Sequence, residues 1–434
     1  MNFISTRNPA EKASFTEALF RGLAPDGGLY MPERMPDLSG YFASLDDAVP
    51  FNRLAAGLTH ALLEPEIDAA AAGDIVDGAF DFEPVLRRVT DGIRVLELFH
   101  GPSCAFKDFG ASFLAAAMNR LLAGRNERAV IVTATSGDTG SAVAQAFHGK
   151  DRIDVVILYP SGRVSPLQEK QLTTLGGNVT ALEVNGSFDD CQRMAKAAFT
   201  DPDLADLPLS SANSINLGRL IPQSFYYVWA WTRMRAEGNF AFVVPSGNFG
   251  NITAGLYAAA WGMPVNRFVA ATNANDVVPE YLRTGRYEPR PSISTLSNAM
   301  DVGAPSNYER LDRLYERNVE VFRRHVEAWA VDDETTRGII ARVFAETGYL
   351  CCPHTAVGWR VSELYREKNP EIPVVLLSTA HPGKFVEVVE EVTGESPHLP
   401  PALASLLDRK KESIRIGSGD EDLARWLAGR FRAS

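Results

Sequence analysis

Cysteine is scarce in this 434-residue sequence, which has four: Cys104, Cys191, Cys351 and Cys352. They form no CxxC pair, which argues against a disulfide-stapled or zinc-ribbon design and fits a reducing compartment. Long apolar runs are missing too, and none approaches the roughly 20 residues needed to cross a bilayer. The N-terminus places Pro9, Glu11 and Lys12 where a secretion signal needs an apolar centre. These absences lead us to expect a cytoplasmic protein with no membrane partner. Positive charge is in deficit, with 43 Lys and Arg against 54 Asp and Glu for a net charge of −11. A phosphate-rich polymer is repelled by such a surface, so nucleic acid is not an expected partner. A small anion is still admissible, because a pocket can concentrate donors against the sign of the whole.

What is present is an ordinary folded composition, 45% apolar and 22% charged. At about 150 residues per domain the length suggests about three domains, or two large ones with an appendage. Three segments share one design, a short β-branched run that gives way to a glycine-bearing loop and then to a helical pattern. They run from 129–133 into 136–140, from 240–244 into 246–250, and from 374–377 into 378–383. Further strands are expected at 155–158, 179–184 and 268–271, and helices at 167–175 and 188–199, the latter capped by Ser187. Apolar strands alternating with helices indicate parallel sheets covered on both faces. The expected class is α/β: two doubly wound, mostly parallel sheet domains and a small, mainly helical N-terminal domain. The expected division is 1–95, then a smaller α/β unit over 96–235, then a larger one over 236–434. The last unit ends in a proline-rich spacer, a charged stretch at 408–415 read as a solvated face, and a short helical pattern.

Parallel sheets place ligands at the carboxyl ends of their strands, so the glycine loops are the first places to look for chemistry. Gly247, Asn248, Phe249, Gly250 and Asn251 join a strand to a helix, where backbone amides and the helix dipole favour an anion. Neither the lysine of a P-loop nor the GxGxxG spacing is there. The loop reads as a phosphate cradle or as a plain change of direction. Lys107 sits between Phe106 and Phe109 and beside Asp108. Desolvation of a lysine lowers its pKa and makes it a nucleophile of the Schiff-base kind, whereas a surface lysine that buries its stem is the alternative. His354 next to Cys351 and Cys352 invites a metal reading, but adjacent cysteines do not readily share a tetrahedral site. Core packing is expected there, and no metal.

An anion cradle and an aromatic-flanked lysine together suggest pyridoxal 5′-phosphate, held at both ends. Seven ordered segments then carry a resemblance: 26–32 (DGGLYMP), that of Lys107, 134–142 (ATSGDTGSA), 165–170 (SPLQEK), 211–216 (SANSIN), 245–251 (PSGNFGN) and 378–385 (STAHPGKF). The chain resembles the threonine synthases, in their longer bacterial and fungal branch, within the tryptophan-synthase β-like group of pyridoxal-phosphate enzymes. The resemblance covers nearly all of the chain. It implies Lys107 as the Schiff-base and proton-moving residue, residues 247–251 around the cofactor phosphate, and Thr379 facing the pyridine nitrogen. Ser136, Gly137, Asp138 and Thr139 would receive the substrate α-carboxylate. Asp138 stands where many relatives in the wider group carry Asn, so it is expected to turn away or to meet the cofactor's edge. Cys352 stands where an aspartate is common. The implied reaction converts O-phospho-L-homoserine and water to L-threonine and phosphate, in a monomer or homodimer. Asn213, Asn216, Arg219 and Lys384 are expected to bind the substrate phosphate, with Asn216 and Arg219 sharing a helix face opposite Lys384. The rival readings are a serine/threonine dehydratase-like β-eliminating enzyme and a non-catalytic paralogue that binds a phosphorylated ligand.

Overall fold

In a computed structural model, which describes residues 1–135 and 137–432, the apolar runs become the strands of two parallel sheets. A five-stranded sheet has the order β14-β8-β7-β6-β9, with β6 Ala129–Ala134, β7 Ile153–Pro160, β8 Val179–Val184, β9 Leu209–Ser210 and β14 Ile414–Ile416. All of its pairings are parallel. A six-stranded sheet has the order β12-β11-β10-β13-β5-β4, with β4 Val85–Arg88, β5 Ile93–Glu97, β10 Ala241–Pro245, β11 Arg267–Thr272, β12 Val326–Ala330 and β13 Val374–Ser378. Only the edge strand β4 is antiparallel. Every residue of β6, β10 and β13 is buried, as a strand covered by helices on both faces requires. The fold is of the mixed α/β kind expected.

The N-terminal region is mainly helical, as expected, and adds a small sheet that the sequence did not announce. Short strands β1 Phe3–Ser5, β2 Lys12–Ala13 and β3 Tyr30–Pro32 form an antiparallel sheet of order β2-β1-β3. Helices Phe15–Arg21, Phe51–Leu63 and Ala69–Ala79 accompany it, the first held by a Ser14–Glu17 capping box. The expected boundary at 95 falls inside β5, which pairs with β13 and so belongs to the six-stranded sheet. At the other end, β14 pairs with β8, and Leu423 and Leu427 pack into the core under the five-stranded sheet with Val132, Leu158 and Leu182. The charged stretch 408–415 is therefore more than a solvated face. Lys411 reaches Glu169 at 2.7 Å and Glu183 at 2.8 Å, fastening the returning chain to that sheet.

Candidate active site

Lys107 is the first residue of the helix Lys107–Leu122, which follows β5 after a loop over 98–106 that crosses to the end of β13. There the Phe106 amide donates to the Thr379 carbonyl at 2.9 Å, and Ala105 and Ala380 form an antiparallel bridge. The lysine's own carbonyl accepts from Arg219 Nη2 at 3.4 Å. Its backbone is thus held from two directions. Burial pushes the Lys107 ammonium down to about 8; Asp138 pulls it back up, while Arg219 and Lys384 press it further down. Phe109 anchors the helix instead of walling the amine, packing edge-on to Phe51, Phe82 and Tyr226. Asp108 is fully buried and accepts from the Ser103 amide at 3.0 Å, and burial raises its carboxyl to about 6.

The loop after β6 brings in the second element. Thr135 Oγ1 accepts from the amides of Gly137 and Gly140 at 2.9 and 2.8 Å, and Gly137 has φ 147°, a conformation open to glycine. Ser136 lies outside the described residues. Thr139 is half-buried in the first turn of the helix Asp138–Phe147. Asp138 opens that helix and meets Lys384 Nζ at 2.6 Å, with both side chains buried. Gln168 Nε2 also donates to Asp138 at 3.1 Å, and Lys384 Nζ donates to the Ser103 carbonyl at 2.9 Å. Burial alone would raise the Asp138 carboxyl, but Lys384 and Lys107 outweigh it and hold the group well below the usual carboxylate range. In this structure Lys384 is therefore the counter-ion of Asp138. The sequence led us to expect it opposite Arg219 at the substrate phosphate and did not announce this partner.

The third element follows β10. Phe249 adopts the left-handed conformation at φ 59°, and a Cβ on Gly247 would lie 2.5 Å from Met300 Cα, so this turn needs glycine at 247. Asn248 donates to Ser214 Oγ at 2.6 Å and accepts from the Ser306 amide at 2.5 Å. Asn251 binds Ser246 Oγ, the Ile252 amide and the Pro245 carbonyl. Both asparagine side chains thus shape the loop. The amides of Gly247, Asn248 and Phe249 have no protein acceptor among the described residues. They stand at the N-terminus of the helix Gly250–Ala260, where the dipole favours an anion.

A family model described as pyridoxal-phosphate dependent enzyme matches residues 91–380, and models of the threonine synthase N terminus and C-terminal region match 2–80 and 355–425. A threonine synthase of Haemophilus influenzae is 43% identical over 407 residues, 93% of this chain and 94% of its own. This chain belongs to the threonine synthase family. Its fold agrees: the crystal structure of threonine synthase from Escherichia coli superposes with a TM-score of 0.91 at 40% identity, over 99% of this chain and 100% of that one. The pyridoxal-phosphate-bound threonine synthase from Brucella melitensis gives 0.92 at 37% identity, over 99% of both chains.

Within a threonine synthase frame, the remaining expected residues divide. Asn216 is the cap of the short helix Leu217–Leu220 and does not lie within it. Its side chain accepts from the Gly218 amide and donates to the carbonyls of Leu19 and Ser211. With every polar atom engaged it is scaffold, which corrects its expected place on a face shared with Arg219. Arg219 is buried and donates to the Ala212 carbonyl at 2.6 Å, while its Nε has no partner among the described residues. Asn213 likewise keeps a buried, unpartnered Oδ1. Thr379 is buried directly after β13, beside the Ser378–Thr355 hydroxyl pair at 2.8 Å. Sequence reasoning placed His354 in the core. It is buried against Phe385, yet its Nε2 has no partner among the described residues, and burial lowers it to about 4 while Asp138 pulls it up and Lys107 and Lys384 push it down. It therefore borders the site. Cys352 accepts from the Thr355 amide as a helix cap, the task an aspartate would perform there. A cavity of about 460 Å³ bounded by Glu97, His100, Tyr349 and His381 does not include Lys107 in its wall.

Proposed function

We propose that this chain is a pyridoxal-phosphate-dependent threonine synthase, converting O-phospho-L-homoserine and water to L-threonine and phosphate. The observation that carries the reading is a buried lysine at the start of a helix, its amine lowered to about 8 and acted on by the Asp138–Lys384 pair, in a chain whose loop after β10 leaves the amides of Gly247, Asn248 and Phe249 without an acceptor among the described residues. Those residues fit the cofactor. Lys107 would hold its aldehyde carbon, the amides of Gly247, Asn248 and Phe249 with the end of the helix at Gly250 and Asn251 its phosphate, and Thr379 its ring nitrogen. When bound, pyridoxal phosphate supplies an electron sink for negative charge that develops on the substrate. A hydroxyl at Thr379, unlike a carboxylate, leaves the ring nitrogen largely without a proton.

The chain's own residues supply binding and proton transfer. Gly137 and Thr139, with the expected Ser136, would take the α-carboxylate, while Asp138 is kept from repelling it by Lys384 and Gln168. Lys107 Nζ is the base for the Cα proton. Loss of protons from Cα and Cβ breaks the Cγ–O bond and releases phosphate; protonation at Cγ, then hydroxide from water at Cβ and a proton at Cα, completes threonine. Arg219 Nε and Asn213 Oδ1, which lack partners among the described residues, would serve as donor and acceptor for the departing phosphate and its proton. A dehydratase-like enzyme would need no such second anion site. Purified protein supplied with the cofactor should release phosphate and threonine from O-phosphohomoserine in equal amounts. Formation of 2-oxo acids from serine or threonine at a higher rate would instead make it a β-eliminating enzyme.

A further inference from the structure

Asn307 lies fully buried at the far wall of the glycine cradle, outside the motifs that mark it in sequence. Three of its four polar groups are fixed. Its amide donates to the Asn248 carbonyl at 3.4 Å, its carbonyl accepts from the amides of Arg310 and Leu311, and its Oδ1 accepts from Arg310 Nη1 at 2.6 Å. Arg310 is itself buried and clamped to the carbonyls of Tyr30 and Ile215. These bonds leave the side chain no rotation, and they fix which end is nitrogen, because the guanidinium needs the oxygen. Nδ2 alone has no acceptor among the described residues. A Cβ built on Gly250 would lie 3.2 Å from that Nδ2, so the donor overhangs the first residue of the eleven-residue helix Gly250–Ala260. Glycine at 250 is what keeps it uncovered.

A buried amide donor with no acceptor costs free energy unless a ligand completes it. Here it stands at the loop whose amides at Gly247, Asn248 and Phe249 also lack an acceptor among the described residues. The geometry points to Asn307 Nδ2 as a side-chain donor to the phosphate of the cofactor seated on the Gly247–Asn251 loop. The inference rests on the cofactor reading above, and extends it to a residue that also ties the 300–310 segment to the cradle.

The test compares binding of pyridoxal phosphate with binding of pyridoxal, which has the same aldehyde and ring but no phosphate, to protein stripped of cofactor. Asn307→Asp keeps the shape and the acceptor for Arg310, while replacing the donor with negative charge. Its dissociation constant for pyridoxal phosphate should rise roughly tenfold to a hundredfold, the scale of one hydrogen bond to a charged acceptor. Its constant for pyridoxal should stay within about twofold, the scatter expected of a site left intact. Inorganic phosphate should compete less well in the same proportion. Asn307→Ser, which is too short to reach, should repeat the pattern and serves if the aspartate variant does not fold. Equal weakening of both compounds would make Asn307 merely structural, and an unchanged preference for the phosphorylated one would remove it from the cradle. Either result overturns the proposal and leaves the cofactor reading standing. A wild-type protein that shows no preference for the phosphorylated compound would overturn both.

Discussion

Replacing Lys384 with methionine tests the charge balance on which the site depends. Asp138 and Lys384 meet at 2.6 Å with side chains 4% and 0% exposed, so the pair has almost no solvent to screen it. Removing one member of such a pair strands a buried charge, at a cost of about 3–5 kcal/mol. Asp138→Asn alone should also destabilise, because Lys384 then keeps only the Ser103 carbonyl. Combining the two removes both charges and leaves Gln168 Nε2 an acceptor at position 138, so the double variant should recover to within about 1–2 kcal/mol of the parent. Denaturant unfolding of the cofactor-free protein at pH 7.5 measures the cycle, with unchanged slopes licensing the comparison. The pH dependence has a definite sign. In the parent, the depressed Asp138 carboxyl contributes stability that is present above its unfolded value near 4 and lost only as pH falls through the depressed one. In Lys384→Met the carboxyl keeps only Lys107 and Gln168 against burial and rises above its parent position, so its penalty is full at neutral pH and fades as the group takes up a proton. The deficit should therefore shrink from pH 7.5 to pH 5. A coupling below about 1 kcal/mol, or a deficit that grows on acidification, would refute the assignment of Lys384 as counter-ion.

Three other outcomes are expected. Lys107→Ala should fold and bind the cofactor weakly without the visible band of a lysine-bound aldehyde; retained turnover of O-phosphohomoserine would sink the assignment of Lys107. Capture of pyridoxal by Lys107 in the cofactor-free protein should rise with pH through an inflection near 8, and since Asp138 is the group that raises this amine, Asp138→Asn should move the inflection lower; stopped-flow absorbance across pH 6–10 decides it. Gly247→Ala drives a methyl against Met300 Cα at 2.5 Å, where only backbone can yield, so cofactor affinity should fall by about 1.5–3 kcal/mol, and an unchanged dissociation constant by fluorescence titration would show that the cradle is not used.

The strands legible in sequence are those buried on both faces, because such burial demands an unbroken apolar run. β6, β7, β10, β11 and β13 all announce themselves in this way, and β8 is legible from its β-branched residues despite Glu183. β5 does not, since Arg94 and Glu97 interrupt it. Both are buried and satisfied, Arg94 by the distant Glu237 at 2.8 Å and Glu97 by Arg87 on the neighbouring strand and His100 at 3.0 and 2.9 Å. β12 carries a glutamate, and β14 is three residues long with a central arginine. A local pattern cannot reveal that a charge has found a partner in a distant segment. The same limit governs the site. Lys107 and the glycine loop are contiguous and were readable, whereas the Asp138–Lys384 pair and the reach of Asn307 over Gly250 exist only once the chain has folded. Asn216 turned on a single position: inside the helix it would share a face with Arg219, but at the cap its amide serves the backbone.

How an acidic chain gathers a phosphorylated substrate follows from summing the charges in the recess. Asp138 and Lys384 cancel at 2.6 Å. Arg219 forms no ion pair among the described residues, and the carboxylate that acts on it is Asp108, raised to about 6 and ionised at neutral pH. What remains is Lys107, lowered to about 8 and so still mostly protonated near neutrality in the cofactor-free protein, and Arg310, behind Asn307 and without an ion pair among the described residues. The site thus keeps two cations in surplus, while the protein as a whole carries −11. On the proposed reading, attraction of an anion there would depend on short-range donors, namely the amides at 247–249, Asn307 Nδ2 and Arg219 Nε, which has no partner among the described residues, as well as on these cations. Such donors act only at hydrogen-bond distance, so the site would select a phosphate by its shape and position as much as by its charge.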